Sequence, residues 1–172
     1  AHGIIWKDYI ADIIETYKDI ATQKAANKAV IVYESVWKHT QQIAESLAEG
    51  FSDADMDVKV YQLSDTKSSI VMREIMDAKV VCIGSGTYNN VMAPSVAAFL
   101  EHIRPCKFKN KKGLAFAAYG WFNQVAKEID TRMQQSGIES CHDVINQCYT
   151  PSDDQLEDYF NVAKEIAKKC QE

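Results

Sequence analysis

The amino-acid sequence predicts an α/β protein: one parallel sheet of five strands between two layers of helices, preceded by an extra N-terminal helix. Three observations carry this expectation. Residues 29–33, 79–84 and 113–117 are short, largely apolar runs, the pattern of strands covered on both faces. Between such runs, apolar residues recur at steps of three and four, as on one face of a helix. The two patterns alternate along the chain, and strict βα alternation requires parallel strands joined by right-handed crossovers.

Each element follows in order. Residues 8–24 put Ile10, Ile13, Ile14, Tyr17 and Ile20 on one helical face. The first strand is 29–33. From Thr40 to Phe51, the residues Ile43, Ala44, Leu47, Ala48 and Phe51 keep helical spacing, with Gly50 near the end. Residues 58–61 alternate as a shorter strand, and 68–78 form a helix. The strand at 79–84 encloses Cys82 in the core. Pro94 opens a helix through Val96, Phe99, Leu100 and Ile103, in the first-turn position that suits proline. A strand at 113–117 precedes a helix at 123–136 that stops at Gly137. Residues 144–149 supply the last strand, and Asp153 is expected to cap a helix over 155–169.

The 172 residues suit one domain with a full core. The formal charge of −5, without a basic block, argues against a nucleic-acid partner. No apolar run approaches the ~20 residues of a membrane span, and the first residues lack the pattern of a secretory signal. Cys82, Cys106, Cys141, Cys148 and Cys170 form no CxxC pair and no metal-ligand spacing. Reduced, mostly buried thiols are expected, with Cys170 exposed. The expectation is a soluble, cytoplasmic protein. The run 107–112 reads as a solvated edge leading into a strand, and no Ser/His/Asp or Cys/His constellation appears.

In such folds ligands bind beyond the C-terminal ends of the strands, where strand order switches. That points to the loops after Tyr33, Gly84 and Ala118. The first, Glu34-Ser35-Val36-Trp37-Lys38-His39-Thr40, runs into a helix, whose start offers unpaired N–H groups and a positive dipole end. Ser35 and Thr40 add hydroxyls, so a phosphate could be held without arginine; the same residues also make an ordinary cap and turn. Neither the GxxxxGK[ST] nor the GxGxxG pattern is present. In the second loop, Ser85-Gly86-Thr87-Tyr88-Asn89-Asn90, Gly86 would permit a backbone closed to other residues. The Asn amides offer donors and acceptors to a heterocycle edge. The third loop, Tyr119-Gly120-Trp121-Phe122-Asn123, sets three aromatics around a glycine. Opposite a phosphate loop, that favours a flat ring held by aromatic faces.

These runs (Val30 to Trp37, Gly84 to Asn90, Lys111 to Phe116, and Tyr119-Gly120-Trp121) resemble the flavodoxin-like domain of flavodiiron proteins, the A-type flavoproteins, in order over residues 28–170. Ala1-His2-Gly3-Ile4-Ile5-Trp6 resembles the end of the metallo-β-lactamase-like domain that precedes it in that family, where this His is the last ligand of the diiron centre. The resemblance implies a flavodoxin-like three-layer sandwich with strand order 2-1-3-4-5. It implies non-covalent FMN, relaying electrons from a donor such as rubredoxin to a diiron site that reduces oxygen or nitric oxide. Residues 1–27 would be the end of the preceding domain and a linker helix, and 28–172 the FMN domain. His2 would be a metal ligand only in the full-length protein, itself a head-to-tail homodimer.

By the same resemblance, Ser35, Val36, Trp37, Lys38, His39 and Thr40 hold the phosphate. Ser85, Thr87, Tyr88, Asn89 and Asn90 line one edge of the ring, and Tyr119, Gly120 and Trp121 close the other side. No catalytic residue is assigned. The chain departs from the family pattern at Lys38 (usually Gly), His39 (Ser or Asn), Gly86 (Pro), Ala117-Ala118 (Gly-Ser) and Phe122-Asn123 (Ser-Gly). A left-handed Lys38 would cost of order 1 kcal/mol, which an ammonium–phosphate contact could offset. Phe122 would either restack on the ring or narrow the pocket. Two alternatives stand beside the electron-transfer reading: a degenerate docking or dimerisation module without flavin, and a stand-alone flavin-dependent quinone reductase.

Overall fold

Strand β1 (Lys28–Glu34) is buried along its whole length, and the sheet is built outward from it. The computed structural model describes residues 3–171; His2 lies outside them. On one side β1 pairs in parallel with β2 (Asp57–Gln62), and on the other with β3 (Val80–Tyr88). A two-residue strand β4 (Val91–Met92) folds back on β3. Strand β5 (Lys112–Tyr119) continues the parallel array. The far edge is split: β6 (Glu139–Ser140) pairs with the start of β5, and β7 (Ile145–Cys148) with its end. The expected strand at 144–149 is thus the second of two pieces. The first is too short to leave a period of its own. With the two-residue β4 set aside and β6 and β7 sharing the last place, the order β2-β1-β3-β5-β6/β7 is the expected 2-1-3-4-5.

The helices are α1 (Ile10–Thr22), α2 (His39–Asp53), α3 (Ser68–Met76), α4 (Pro94–Ile103), α5 (Val125–Gln135) and α6 (Asp153–Gln171). Successive strand residues point to opposite faces, and the chain builds a core on each. Val30, Val32, Val81, Ile83, Ala115 and Ala117 meet α3, α4 and α5. Ala29, Ile31, Tyr33, Cys82, Leu114 and Phe116 meet α2 and α6. Helices α2 and α6 cross closely at Gly50, where a Cβ would lie 2.2 Å from the Phe160 carbonyl oxygen. Gly137, with φ +89, ends α5 as expected.

Several expectations are corrected. The cap of α6 is Ser152, not Asp153. Its Oγ accepts the Gln155 N–H (3.3 Å) while its own N–H donates to Gln155 Oε1 (3.0 Å), a reciprocal box made possible by a Gln three residues on. Cys170 is half-buried against the α2–α6 core, and Cys148 is the exposed thiol. Helix α1 forms, but its apolar face finds no core: Ile10, Ile14, Tyr17 and Ile20 are all at least half exposed.

Lys111 breaks the expectation of a solvated basic run. It is 2 % exposed, and its Nζ donates to the carbonyls of Met76 (3.0 Å), the last residue of α3, and of Ala78 (2.9 Å), just beyond it. Burial lowers its pKa from 10.5 to about 8, against the pull of Asp77. Between those values the unfolded chain binds the extra proton, so this residue's contribution to stability rises with pH. Below pH 8 the cost of keeping it charged is fully present, about 3 kcal/mol. Denaturant unfolding of the native chain and of Lys111→Met should show the native protein gaining on the variant by roughly that amount from pH 7 to 10.5. A pH-independent difference would contradict the assignment.

Candidate functional site

The site begins where β1 ends. Glu34 is buried, and its carboxylate accepts the Ser35 N–H (3.1 Å), Gln62 Nε2 (3.0 Å) and Ser95 Oγ (3.0 Å). These bonds tie the exit of β1 to β2 and α4, and so fix the course of the first loop. The loop closes on Lys38, which is left-handed (φ 66) at the start of α2. The conformation that glycine usually supplies here is therefore adopted by lysine. No side chain caps α2 and no acid stands in its first turn, leaving its first N–H groups to face the loop. Thr40, in that turn, is 1 % exposed.

The second segment is more regular than expected. Strand β3 runs through Tyr88, and only Asn89 and Asn90 turn. Both are left-handed (φ 45 and 70) between the pair Tyr88–Val91, as a two-residue type I′ hairpin requires. The special backbone thus falls on the asparagines, which tolerate it, and Gly86 stays extended opposite Ala118. Ser85 is fully buried below the cavity lining, accepts the Ala93 N–H (2.8 Å) and donates to the Gly86 carbonyl (2.7 Å).

Strand β5 delivers the third segment. The Trp121 indole N–H donates to Asn90 Oδ1 (3.2 Å), bridging the third loop to the second. Phe122 packs, partly buried, against the α3–α4–α5 core and is not among the residues that line the cavity.

A cavity of about 480 Å³ lies among these loops, within the range of small-molecule sites. Ser35, Val36, Trp37, His39 and Thr40 line it from the first loop, Thr87 and Tyr88 from the second, and Tyr119, Gly120 and Trp121 from the third. Lys38, Ser85, Asn89 and Asn90 do not line it. Gly86, Ala118 and Tyr149 do, none of them an expected site residue, and Tyr149 stands furthest along the chain from those that are. Its signal was the rule already applied to three strands, since it directly follows the end of β7.

The lining carries no carboxylate, and His39 is its one basic side chain. Burial, with Glu34 nearby, raises the Tyr88 pKa, keeping that hydroxyl neutral. The Thr87 hydroxyl oxygen is buried with no hydrogen-bond partner; such a group costs stability unless a ligand satisfies it. Trp37 and Trp121 are each about 80 % exposed, large apolar faces that protein atoms leave open. The arrangement suits a flat, largely apolar ring with polar edges and an anionic tail at the start of α2. Among the described residues, no three His, Cys, Asp or Glu side chains are grouped to hold a metal ion. None of the described helices is long and apolar enough to cross a membrane.

Fold and cavity together define a doubly wound α/β protein with its cavity at the strand switch point, where such folds bind ligands. Residues 31–170 match the flavodoxin family, and the chain belongs to it. It is 32 % identical over 171 residues to the anaerobic nitric oxide reductase flavorubredoxin of Pectobacterium carotovorum, covering 98 % of this chain and 34 % of that protein. It is 38 % identical over 139 residues to the nitric oxide reductase of Moorella thermoacetica, covering 81 % of this chain and 35 % of that protein. The rubredoxin:oxygen oxidoreductase of Desulfovibrio gigas superposes with a TM-score of 0.90 at 32 % identity, over 94 % of this chain and 40 % of that one. The chain thus spans less than half the length of the curated relatives it matches.

Proposed function

We propose that this chain is the FMN-binding electron-transfer unit of a flavodiiron protein. The observation that carries the reading is the cavity itself: a lining without carboxylates beside the start of α2, a buried unpartnered Thr87 hydroxyl, and open indole faces at Trp37 and Trp121. In this reading Ser35, Thr40 and the backbone N–H groups of residues 36–40 hold the phosphate. Lys38 adds positive charge beside it. Thr87 and Tyr88 face one edge of the ring, and Tyr119, Gly120 and Trp121 close the other side. Asn89 and Asn90 act indirectly, through the Asn90–Trp121 bond. FMN, when bound, supplies the one- and two-electron chemistry; the protein's part is to orient it, shield it from water and set its electrostatic surroundings.

In the whole protein, residues 1–27 would close a preceding metallo-β-lactamase-like domain. The exposed apolar face of α1, with Ile4, Ile5 and Trp6, supports a covering partner of that kind. His2 would complete a diiron centre there, in a cytoplasmic head-to-tail dimer that takes electrons from rubredoxin or a similar donor. The names of the relatives, nitric oxide reductase and rubredoxin:oxygen oxidoreductase, support that assignment. The test is stopped-flow reduction of the FMN-loaded chain, with metal analysis alongside. Reduced rubredoxin should bleach the flavin rapidly and NADH should not, with no stoichiometric iron. Fast direct reduction by NADH would favour the quinone-reductase alternative, and two tightly bound irons per chain would misplace the domain boundary.

A further inference from the structure

Tyr149 sits in a backbone conformation that bulky L-residues seldom adopt, with φ 56. Its surroundings hold it there. Its N–H donates to the Tyr119 carbonyl (2.8 Å), extending the β5–β7 ladder by one rung. Beyond it Pro151 is buried, and Ser152 locks the start of α6. Between them, Thr150 Oγ1 lies 3.1 Å from His39 Nε2, joining this loop to the first turn of α2. The Tyr149 ring stands against Gly120, with ring and hydroxyl atoms 3.4–3.7 Å from where a Cβ would sit. Even so it remains 60 % exposed, as part of the cavity wall. A side chain held in an unfavourable backbone, open to solvent and lining a cavity, is placed for a ligand rather than for the core.

We infer that Tyr149 is a flavin-binding residue supplied by a fourth loop, and that Thr150 and His39 are the positioning pair that holds this loop against the phosphate loop. The inference rests on the FMN reading above. Tyr149 adjoins Gly120, within the aromatic third loop, so it contributes to the pocket of the planar ring. The Thr150–His39 bond links the phosphate loop to this ring wall.

The test compares Tyr149→Asn, which removes the ring but tolerates the left-handed backbone, with Tyr149→Phe, which keeps the ring. Affinities for FMN and riboflavin are measured by fluorescence quenching, together with the melting temperature of each flavin-free protein. The Asn variant should bind both ligands about tenfold more weakly, the Phe variant should stay close to the native protein, and flavin-free Asn protein should melt at or above the native temperature because strain is relieved. Thr150→Val should also weaken FMN binding, and Thr150→Ser should restore it. Unchanged affinity in Tyr149→Asn would overturn the inference. So would a loss of affinity matched by a lower melting temperature of the flavin-free protein, the mark of a purely structural residue. A native protein that binds no FMN would defeat the flavin reading and this inference with it; native binding with an unaffected Asn variant would defeat the inference alone.

Discussion

Replacing Ser35 and Thr40 together with alanine should weaken FMN binding at least about a hundredfold. Each hydroxyl hydrogen bond to a charged group is worth roughly 1.5–3 kcal/mol, and every 1.4 kcal/mol is about tenfold in affinity. Both residues line the same end of the cavity, beside the start of α2. Riboflavin has no phosphate, so its affinity should change little. That contrast separates a lost phosphate contact from a damaged fold, and the melting temperature of the flavin-free variant provides the control. An equal loss for both ligands would place the phosphate elsewhere.

Gly50→Ala should destabilise the protein by about 2–4 kcal/mol. On an open helix the same change would stabilise by about 1 kcal/mol through helix propensity. Here the new Cβ would fall 2.2 Å from the Phe160 carbonyl oxygen and 2.8 Å from Ala163 Cβ. These are backbone and short side-chain atoms that cannot swing aside, so α6 must move bodily. The steric term wins. Urea unfolding of the two proteins decides it; a variant as stable as the native chain would show that α6 does not pack on α2 at this distance.

The α/β order was legible because its signals are local. Buried parallel strands read as apolar runs, and residues 29–33, 79–84 and 113–117 each lie in or against a strand of the structure. Features that depend on a distant partner were not legible. Lys111 looks like one more cation in a charged run, and only the carbonyls of Met76 and Ala78 around the end of α3, more than thirty residues earlier, account for its burial. The Ser152 cap needed the reach of Gln155, and β6 needed β5 beside it. For the site, the chain positions of the three loops followed from where the strands end, whereas the facing of individual side chains did not. Ser85 alternates into the core, and the left-handed turn fell on Asn89 and Asn90 rather than on Gly86. Tyr149 was overlooked because Tyr-Thr-Pro carries no phosphate or heterocycle signal of its own, and only the fold brings it against Gly120.

The central claim is that the cavity among these loops binds FMN through both its ring and its phosphate. Fluorescence titration of the native flavin-free protein with FMN, and in parallel with riboflavin, tests it most directly. The account predicts saturable quenching at one flavin per chain, with FMN at least about a hundredfold tighter than riboflavin, since the phosphate adds charge-assisted hydrogen bonds. Equal affinity for the two, or no saturable binding of FMN, would contradict it.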